Sequence, residues 1–249
     1  MIKDKVSIVL PTYNSASTVE RAINSVINQT YKNWELIITD DNSSDNTISI
    51  INNYIKAPFD IKLYINEVNS GAGFSRNNSI KKASGNFIAF LDSDDYWKNN
   101  KLEKQLVFMN KNNLPFSFTS YIQLNHDNSI KKVISAKHSV NFNDILKNNY
   151  IGCLTVMYSI DHFGKLYMPN VRKRQDWCLW IDIIKKLGKV YSLEEPLAYY
   201  TFQKNSLSSN KFYLIKYNWY VYYHHLNFGL IKSVFCMINY FFFYIIKKI

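Results

Sequence analysis

Residues 86–97 read NFIAFLDSDDYW, an apolar run typical of a buried strand that ends in three carboxylates within four positions. Asp92, Asp94 and Asp95 carry like charges, which repel one another at such short range. A positive partner is therefore expected beside them. A divalent cation is the simplest candidate, because carboxylate oxygens are the ligands that Mg²⁺ and Mn²⁺ prefer. The alternative is that one of the acids caps the following helix, since Asp is common at helix N-termini.

The first 120 residues alternate short β-branched runs with amphipathic segments. This alternation is typical of a parallel sheet flanked by helices. The predicted strands cover residues 6–10, 35–39, 61–65 and 86–91. Pro11 is expected to end the first strand, and a capping box of Ser17 and Glu20 is expected to begin the first helix.

Four polar clusters follow these four strands. They read PTYN (11–14), DDNSS (40–44), NSGAGFSRN (69–77) and DSDD (92–95). In open α/β sheets, ligands bind at the carboxyl ends of the parallel strands. Because all four clusters follow such ends, the sequence predicts one ligand site at this edge of the sheet.

The second half of the chain is less regular. Residues 116–124 and 154–158 are predicted strands, and we expect the region to supply the far half of the sheet and loops that face an acceptor. Clear helical spacing returns after Asp176 and stops at Gly188. Asp176 is therefore expected to begin a helix, two residues after the basic run at 172–174.

The formal net charge of +11 suggests an anionic partner, which could be nucleic acid, a membrane surface or a phosphorylated small molecule. Nucleic acid is disfavoured, because the basic residues are scattered and the polar rim is acidic. Three widely spaced cysteines indicate neither a disulfide framework nor a zinc site. The first residues lack the long apolar region of a secretory signal, so a cytoplasmic location is expected.

The C-terminal segment is basic and aromatic. No acidic residue follows Glu195, whereas six lysines do. The apolar stretch 233–246 spans about 14 residues, short of the roughly 20 needed to cross a bilayer. We therefore expect a helix that lies peripherally on the inner face of a membrane. An ordinary packed helix or a homodimer seam are the alternatives.

The ordered motifs IVLPTYNS, DDNSSDNT, GAGFSRN and FLDSDD resemble those of family 2 glycosyltransferases. The resemblance covers residues 5–100, and RKRQDWCLW extends it to about residue 188. It implies the GT-A fold, an α/β fold with a mostly parallel sheet flanked by helices. The implied organisation is a catalytic domain at 1–205, with a nucleotide-binding half (1–100) and an acceptor-binding half (101–205), and a C-terminal helical, membrane-surface-associating extension at 206–249.

The resemblance also implies an activity. The expected reaction is an inverting, metal-dependent transfer of a sugar from a nucleotide-sugar donor, with UDP as the expected nucleotide and Mn²⁺ or Mg²⁺ as cofactor. The expected acceptor is a hydroxyl of a lipid-linked or polysaccharide glycan in cell-surface biosynthesis, and homo-oligomerisation is compatible with it. Two alternatives stay open: a sugar-phosphate nucleotidyltransferase, although PTYNSAST has no glycine for a phosphate loop, and a catalytically inactive membrane-surface binding protein.

Carried over residue by residue, the resemblance places Asp40 on the base and Arg76 near the base or diphosphate. It places Asp92 on the ribose or diphosphate, and Asp94, with Asp92, on the metal. The other implied donor contacts are Pro11, Thr12, Tyr13, Asn14, Asp41 and Ser93. The alternatives are an Asp-capped turn for Asp40 and Asp41, and a solvated helix face for Arg76.

Asp176 is the implied general base, which takes a proton from the acceptor hydroxyl. The family usually has a Glu before this Asp, and Gln175 stands there in this chain. Further acceptor or diphosphate contacts are implied for Arg172, Arg174, Gln175, Trp177 and Lys204. The alternative for Asp176 is a simple helix N-cap with exposed basic neighbours.

Overall fold

The computed structural model describes residues 4–55, 58–125, 127–201 and 211–246, without side chains at 211–213 and 244–246. The strands are β1 (Val6–Thr12), β2 (Trp34–Asp40), β3 (Ile61–Ile65), β4 (Phe87–Phe90), β5 (Tyr96–Trp97), β6 (Phe116–Leu124), β7 (Ile130–Ile134), β8 (Ser139–Asn141), β9 (Met157–Ser159) and β10 (Lys189–Thr201). The helices are α1 (Val19–Ile27), α2 (Thr47–Asn52), α3 (Ala72–Lys82), α4 (Lys101–Lys111), α5 (Phe142–Lys147), α6 (Ile160–Phe163), α7 (Gln175–Leu187), α8 (Lys211–Trp219) and α9 (Leu230–Ile246).

Across the described residues, ten strands form one sheet in the order β3-β2-β1-β4-β9-β6-β10-β5, with β7 beside β6 and β8 beside β10. The first four of that order are parallel, as predicted. Their side chains alternate between two cores, one on each face of the sheet. Ile8 and Leu10 pack with Ile23 of α1, whereas Val9 belongs to the core that contains Trp180 of α7. Burial on both faces explains why these strands read as continuous apolar runs.

Two local predictions at the first strand were wrong. β1 does not end before Pro11 but continues to Thr12. Its pairing with β4 ends at Val9, so the missing N–H of Pro11 removes no ladder bond on that side. The capping box is absent: α1 begins at Val19 without a side-chain cap, and the carbonyl of Ser15 accepts the Val19 amide instead.

A buried carboxylate joins β1 and β2 at the edge of the sheet away from the polar clusters. Glu35 is fully buried and accepts hydrogen bonds from Ser7 Oγ (2.6 Å), Lys62 Nζ (2.7 Å) and the Ser84 amide (2.6 Å). A Cβ on Gly85 would lie 2.5 Å from the carbonyl oxygen of Lys5, so only glycine fits there. These contacts align the starts of β1, β2 and β4.

The far half of the sheet is mixed. β9 is antiparallel to β4 and β6, and β10 is parallel to β6. The strand predicted at 116–124 is confirmed, but the one predicted at 154–158 is displaced. Cys153–Thr155 forms a 3₁₀ turn and β9 begins only at Met157. Helix α7 covers this half, where Trp180 packs edge-on against Phe90 with ring centroids 5.6 Å apart.

The C-terminal helices pack on α5 and α7. The ring of Trp177 in α7 lies 5.7 Å from both Tyr222 and Tyr240, and Tyr222 donates a hydrogen bond to the Leu146 carbonyl. Within the residues that the structure describes, no helix is long and apolar enough to cross a membrane. The described residues of the predicted segment are helical, in α8 and α9, while its membrane contact and the division at residue 205 remain predictions.

Candidate active site

The ends of β1 and β2 lie side by side and are joined through Asp40. Asp40 is fully buried and accepts hydrogen bonds from Thr12 Oγ1 (2.7 Å), the Ser43 amide (2.8 Å) and Ser43 Oγ (2.6 Å). The carboxylate therefore stabilises the turn after β2, which was the alternative considered for it. A hydrogen bond from a nucleotide base to Asp40 stays a prediction, and it would have to use the remaining lone pair.

Asp41 fastens the second polar cluster to the third. It accepts hydrogen bonds from Asn66 Nδ2 (2.7 Å) and from the amides of Ser70 (2.9 Å) and Gly71 (2.7 Å). Gly71 has a φ of +93°, a conformation that favours glycine, and it directly precedes α3. The aspartate thus fixes the loop that leads into the helix of Arg76.

The first cluster is joined to the second and the fourth. Asn14 Oδ1 accepts the Ser44 amide at 2.9 Å, and the hydroxyl of Ser15, the residue that follows the first cluster, lies 2.7 Å from the hydroxyl of Ser93. The ring of Tyr13 is half exposed at the same edge. All four polar clusters are therefore connected at one edge, as the strand order predicted.

The positive partner of the acid cluster is, for Asp92, an arginine. Arg76 is 6% exposed, and its Nη2 donates a hydrogen bond to Asp92 Oδ1. Burial lowers the pKa of Arg76, but the carboxylates of Asp92 and Asp176 raise it above its ordinary value. The interpretation of Arg76 as part of a solvated helix face is wrong: its helix turns this side chain inward.

The other two acids are not fully compensated. Burial and the neighbouring Asp92 raise the pKa of Asp94 to about 6. Asp95 is buried and accepts the Thr201 amide (2.9 Å), and burial and Asp94 raise its pKa well above the usual range. None of the three caps α4, because that helix begins only at Lys101. Surplus negative charge of this kind suits a cation.

The donor set available for a metal is small. Among the residues that the structure describes, no group of three or more His, Cys, Asp or Glu side chains is placed to hold a metal ion. Asp92 and Asp94 would thus supply at most two carboxylates. This fits Mg²⁺ or Mn²⁺, which are commonly bound by one or two carboxylates and complete their coordination with phosphate oxygens and water.

Arg21 of α1 supports the acid cluster from outside, and sequence reasoning missed it. Its Nη2 donates hydrogen bonds to the Asp94 carbonyl and to Thr201 Oγ1, both at 2.8 Å. Its guanidinium also lies 4.6 Å from the centroid of the Tyr96 ring. An arginine in an amphipathic helix gives no sequence signal of such a role, because the contacts join residues far apart in the chain.

A cavity of about 410 Å³ opens beside the Arg76–Asp92 pair. The predicted residues among those that line it are Arg76, Asp92, Arg172, Arg174, Gln175 and Asp176. Asp176 lies in the first turn of α7, as expected, and accepts a long hydrogen bond from Asn149 Nδ2 (3.3 Å). A larger, shallower cleft of about 930 Å³ between α1 and β5 contains none of the predicted residues. The smaller cavity is therefore the candidate active site.

Two residues beside Asp176 have structural surroundings that the sequence did not show. Gln175 is buried and its Oε1 has no hydrogen-bond partner among the described residues. A Cβ on Gly73 would lie 3.1 Å from Gln175 Cγ, so the glycine lets the two helices approach closely. Trp177 is fully buried and donates to the Ile145 carbonyl, so the acceptor contact predicted for Trp177 is wrong. It is a core residue.

The basic run before α7 divides between two environments. Arg172 Nη2 donates to Asn69 Oδ1 (3.1 Å), close to the loop held by Asp41. Arg174 has a left-handed backbone, with φ +66°, and directs its guanidinium to Asn218 and Tyr240 of the C-terminal helices. An acceptor contact of Arg174 would compete with these bonds. Lys204 lies outside the described residues.

One protein-family model identifies the family of this chain. The model of the family described as "Glycosyl transferase family 2" matches residues 7–163. The chain belongs to glycosyl transferase family 2. The resemblance read from the four motifs is thereby confirmed, and family membership does not favour a sugar-phosphate nucleotidyltransferase or a non-catalytic membrane-binding protein.

Named relatives of this family 2 glycosyltransferase act in cell-surface glycan synthesis. The chain is 41% identical over 239 residues to TuaG of Bacillus subtilis, a glycosyltransferase named for teichuronic acid biosynthesis, covering 96% of this chain and 95% of TuaG. It is 41% identical over 215 residues to the Escherichia coli "UDP-Glc:alpha-D-GlcNAc-diphosphoundecaprenol beta-1,3-glucosyltransferase WfgD", covering 86% and 83% of the two chains.

The fold of this family 2 glycosyltransferase matches a solved structure. The crystal structure of S. aureus TarS residues 1–349 in complex with UDP-GlcNAc superposes with a TM-score of 0.74 at 20% identity, over 95% of this chain and 71% of that one. The predicted α/β architecture of the GT-A type is confirmed.

Proposed function

We propose that this enzyme transfers a sugar from a UDP-sugar to a hydroxyl of a lipid-linked glycan, with inversion at the anomeric carbon. The observation that carries the proposal is the cavity in which Asp176, the ion pair of buried Arg76 with partly exposed Asp92 and a basic loop come together. Such a cavity combines a group that can accept a proton with positive charge that can receive a departing diphosphate.

The donor would lie at the edge formed by the four polar clusters. Tyr13 is exposed there to stack on a base or ribose, next to Pro11, Thr12 and Asn14 of the same cluster. Asp40 and Asp41 hold the loops around this pocket through their hydrogen bonds. Ser93, which lies between the acids of the fourth cluster, contacts Ser15 next to the first. A nucleotide bound here would direct its diphosphate toward Arg76 and Asp92.

A divalent cation, Mn²⁺ or Mg²⁺, would be held by Asp94 and Asp92 and by oxygens of the donor diphosphate. Burial, and next the negative charge of Asp92, raise the pKa of Asp94, so a cation bound here would offset the cost of ionising this carboxyl. When bound, the ion would neutralise charge that develops on the leaving diphosphate. Arg76, which pairs with Asp92, would neutralise part of the same developing charge.

Asp176 would act as the general base. As the acceptor oxygen forms its bond to the anomeric carbon, the hydroxyl proton passes to the carboxylate of Asp176. The bond between that carbon and the diphosphate oxygen breaks, and its electron pair leaves with UDP. Asn149 would orient the carboxylate, since it donates a hydrogen bond to Oδ2. Attack from the side opposite the leaving group inverts the configuration.

The acceptor would carry a lipid diphosphate, as the name of the Escherichia coli relative states for that enzyme. Arg172 and Lys173 line the cavity and supply positive charge for a second diphosphate. We place the enzyme on the cytoplasmic face of the membrane as a peripheral protein, with residues 1–205 as catalytic domain and 206–249 as the extension. It needs no nucleic acid partner, and a homo-oligomer remains compatible with the reaction.

The test measures UDP release and glycolipid product with a panel of UDP-sugars, Mn²⁺ and a short-chain N-acetylhexosaminyl-diphospholipid acceptor. We expect turnover with one donor, and a loss of at least about 100-fold in kcat for Asp176→Asn, the usual minimum effect of removing a general base. Asp161→Asn is the matched control, because Asp161 is exposed on α6 outside the cavity. Equal rates for the parent and Asp176→Asn would contradict the assignment.

A further inference from the structure

Helix α9 presents an apolar stripe to solvent. Ile231, Phe235, Ile238 and Phe242 are 87%, 64%, 61% and 58% exposed. They are spaced at i, i+4, i+7 and i+11, which puts them on one face of a helix. We refer to these four residues as the α9 stripe. Soluble proteins rarely expose contiguous apolar surface of this kind unless it takes part in an interaction.

The opposite face of α9 is packed into the protein. Ser233, Cys236 and Met237 are buried, and Tyr240 lies against Trp177 of α7. Folding therefore sets the direction in which the α9 stripe points. The α9 stripe is exposed because the opposite face of the helix is the one that packs against the core.

Charge indicates what covers the stripe. Lys232 is exposed next to it on the same helix, and Lys216 is exposed on α8. No acidic residue follows Glu195, while six lysines do. Among the described side chains of this segment, those of Lys216 and Lys232 are exposed and complement anionic lipid headgroups. A second copy of the chain would bring two basic surfaces together, which disfavours a symmetric dimer through this face.

We propose that the α9 stripe inserts into an anionic lipid surface, with α9 lying in the plane of the interface. The described part of α9 has 17 residues, and no helix in the described ranges is long and apolar enough to cross a bilayer. Basic flanks around apolar and aromatic side chains are the features of interfacial helices. The proposal deepens the proposed function and rests on it for the acceptor: Arg174 lines the cavity and bonds to Tyr240 of α9, so a lipid surface at α9 would lie near a lipid-linked acceptor.

The experiment is co-sedimentation of the full chain with vesicles of equimolar phosphatidylglycerol and phosphatidylcholine, and with phosphatidylcholine alone, without nucleotide. We expect binding to the anionic vesicles, weakened by salt, and a loss of about tenfold or more in affinity for the double variant Ile231→Ser and Phe235→Ser. The matched control is Ile130→Ser with Val133→Ser, which removes two comparably exposed apolar side chains from β7.

Two results would overturn the proposal. One is parent and stripe variant binding the anionic vesicles equally well. The other is a parent dimer in light scattering that the stripe variant converts to a monomer, which would assign the stripe to a second copy. UDP release with a water-soluble acceptor analogue tests the proposed sugar transfer separately from lipid binding. The stripe variant should keep this activity, because the analogue needs no membrane. Vesicle binding without any sugar transfer would support lipid binding by the α9 stripe and contradict the proposed function.

Discussion

Arg174 donates a hydrogen bond from Nη2 to the hydroxyl of Tyr240 over 2.9 Å, and so joins the loop before the candidate base to the C-terminal helix α9. Its Nε bonds to Asn218 at 2.9 Å, and its guanidinium lies over the ring of Trp177. The left-handed backbone of Arg174 costs roughly 1–2 kcal/mol for a residue other than glycine. These contacts hold that conformation, and with it the start of the helix that carries Asp176.

The first prediction concerns this bond. Tyr240→Phe removes only the hydroxyl, and we expect unfolding free energy to fall by about 1 kcal/mol. We also expect kcat to fall severalfold while the KM for the donor changes little, because Asp176 would lose orientation and the nucleotide edge would be untouched. Steady-state kinetics and urea unfolding measure both effects. Tyr167→Phe, at an exposed ring, is the control, and an unchanged kcat in Tyr240→Phe would contradict this view.

The second prediction concerns Asp94. Asp94→Asn should abolish most sugar transfer at any Mn²⁺ concentration, yet the metal-free variant should be more stable than the parent at neutral pH. The physical reason is that the substitution removes a charge that burial and Asp92 disfavour. Thermal unfolding with and without Mn²⁺ and UDP provides the measurement: the parent should gain stability from the pair, and the variant should not. A variant as responsive as the parent would exclude Asp94 as a ligand.

The third prediction concerns Arg21. Arg21→Lys keeps the charge but cannot maintain both hydrogen bonds to Asp94 and Thr201 with the ring contact to Tyr96. We expect the Mn²⁺ concentration for half-maximal activity to rise about tenfold, with a smaller effect on kcat at saturating metal. Lys81→Arg or Lys82→Arg on α3 serves as a conservative control. Equal loss of kcat at every Mn²⁺ concentration would indicate a general defect in folding instead.

The fourth prediction concerns pH and Glu35. Burial raises the pKa of Glu35, but hydrogen bonds from Lys62, Ser7 and Ser84 outweigh it and lower the pKa to about 2. The folded-state pKa lies below the unfolded value of 4.5, so this stabilisation is present at neutral pH and is lost as pH falls from about 4.5 to about 2. Glu35→Gln should destabilise the protein by about 3 kcal/mol at pH 7 and by little near pH 2. A pH-independent difference in urea unfolding would contradict this.

Much of the fold was predictable because its signals are local. Strands buried on both faces produce continuous apolar runs, and the order of strands and polar clusters places four motifs at one edge without any coordinates. The parallel half of the sheet, the position of Asp176 in the first turn of α7 and the family relationship all followed from such patterns.

Side-chain direction was decided only by tertiary structure. The sequence does not show that Arg76 turns inward to Asp92, that Trp177 belongs to the core, or that Arg174 faces the C-terminal helices. Each of these depends on elements distant in the chain, and neighbouring positions of one helix can face a cavity, a core or another helix.

The sequence by itself determined which elements form and that acids, amides and glycines meet at the ends of the parallel strands, because hydrophobic period and turn chemistry are encoded within a few residues. Tertiary structure decided which charges meet: an arginine from α3 pairs with Asp92, Arg21 supports Asp94, and α9 turns an apolar stripe outward. Pairing and exposure are set by how elements pack, and that packing is a property of the whole chain.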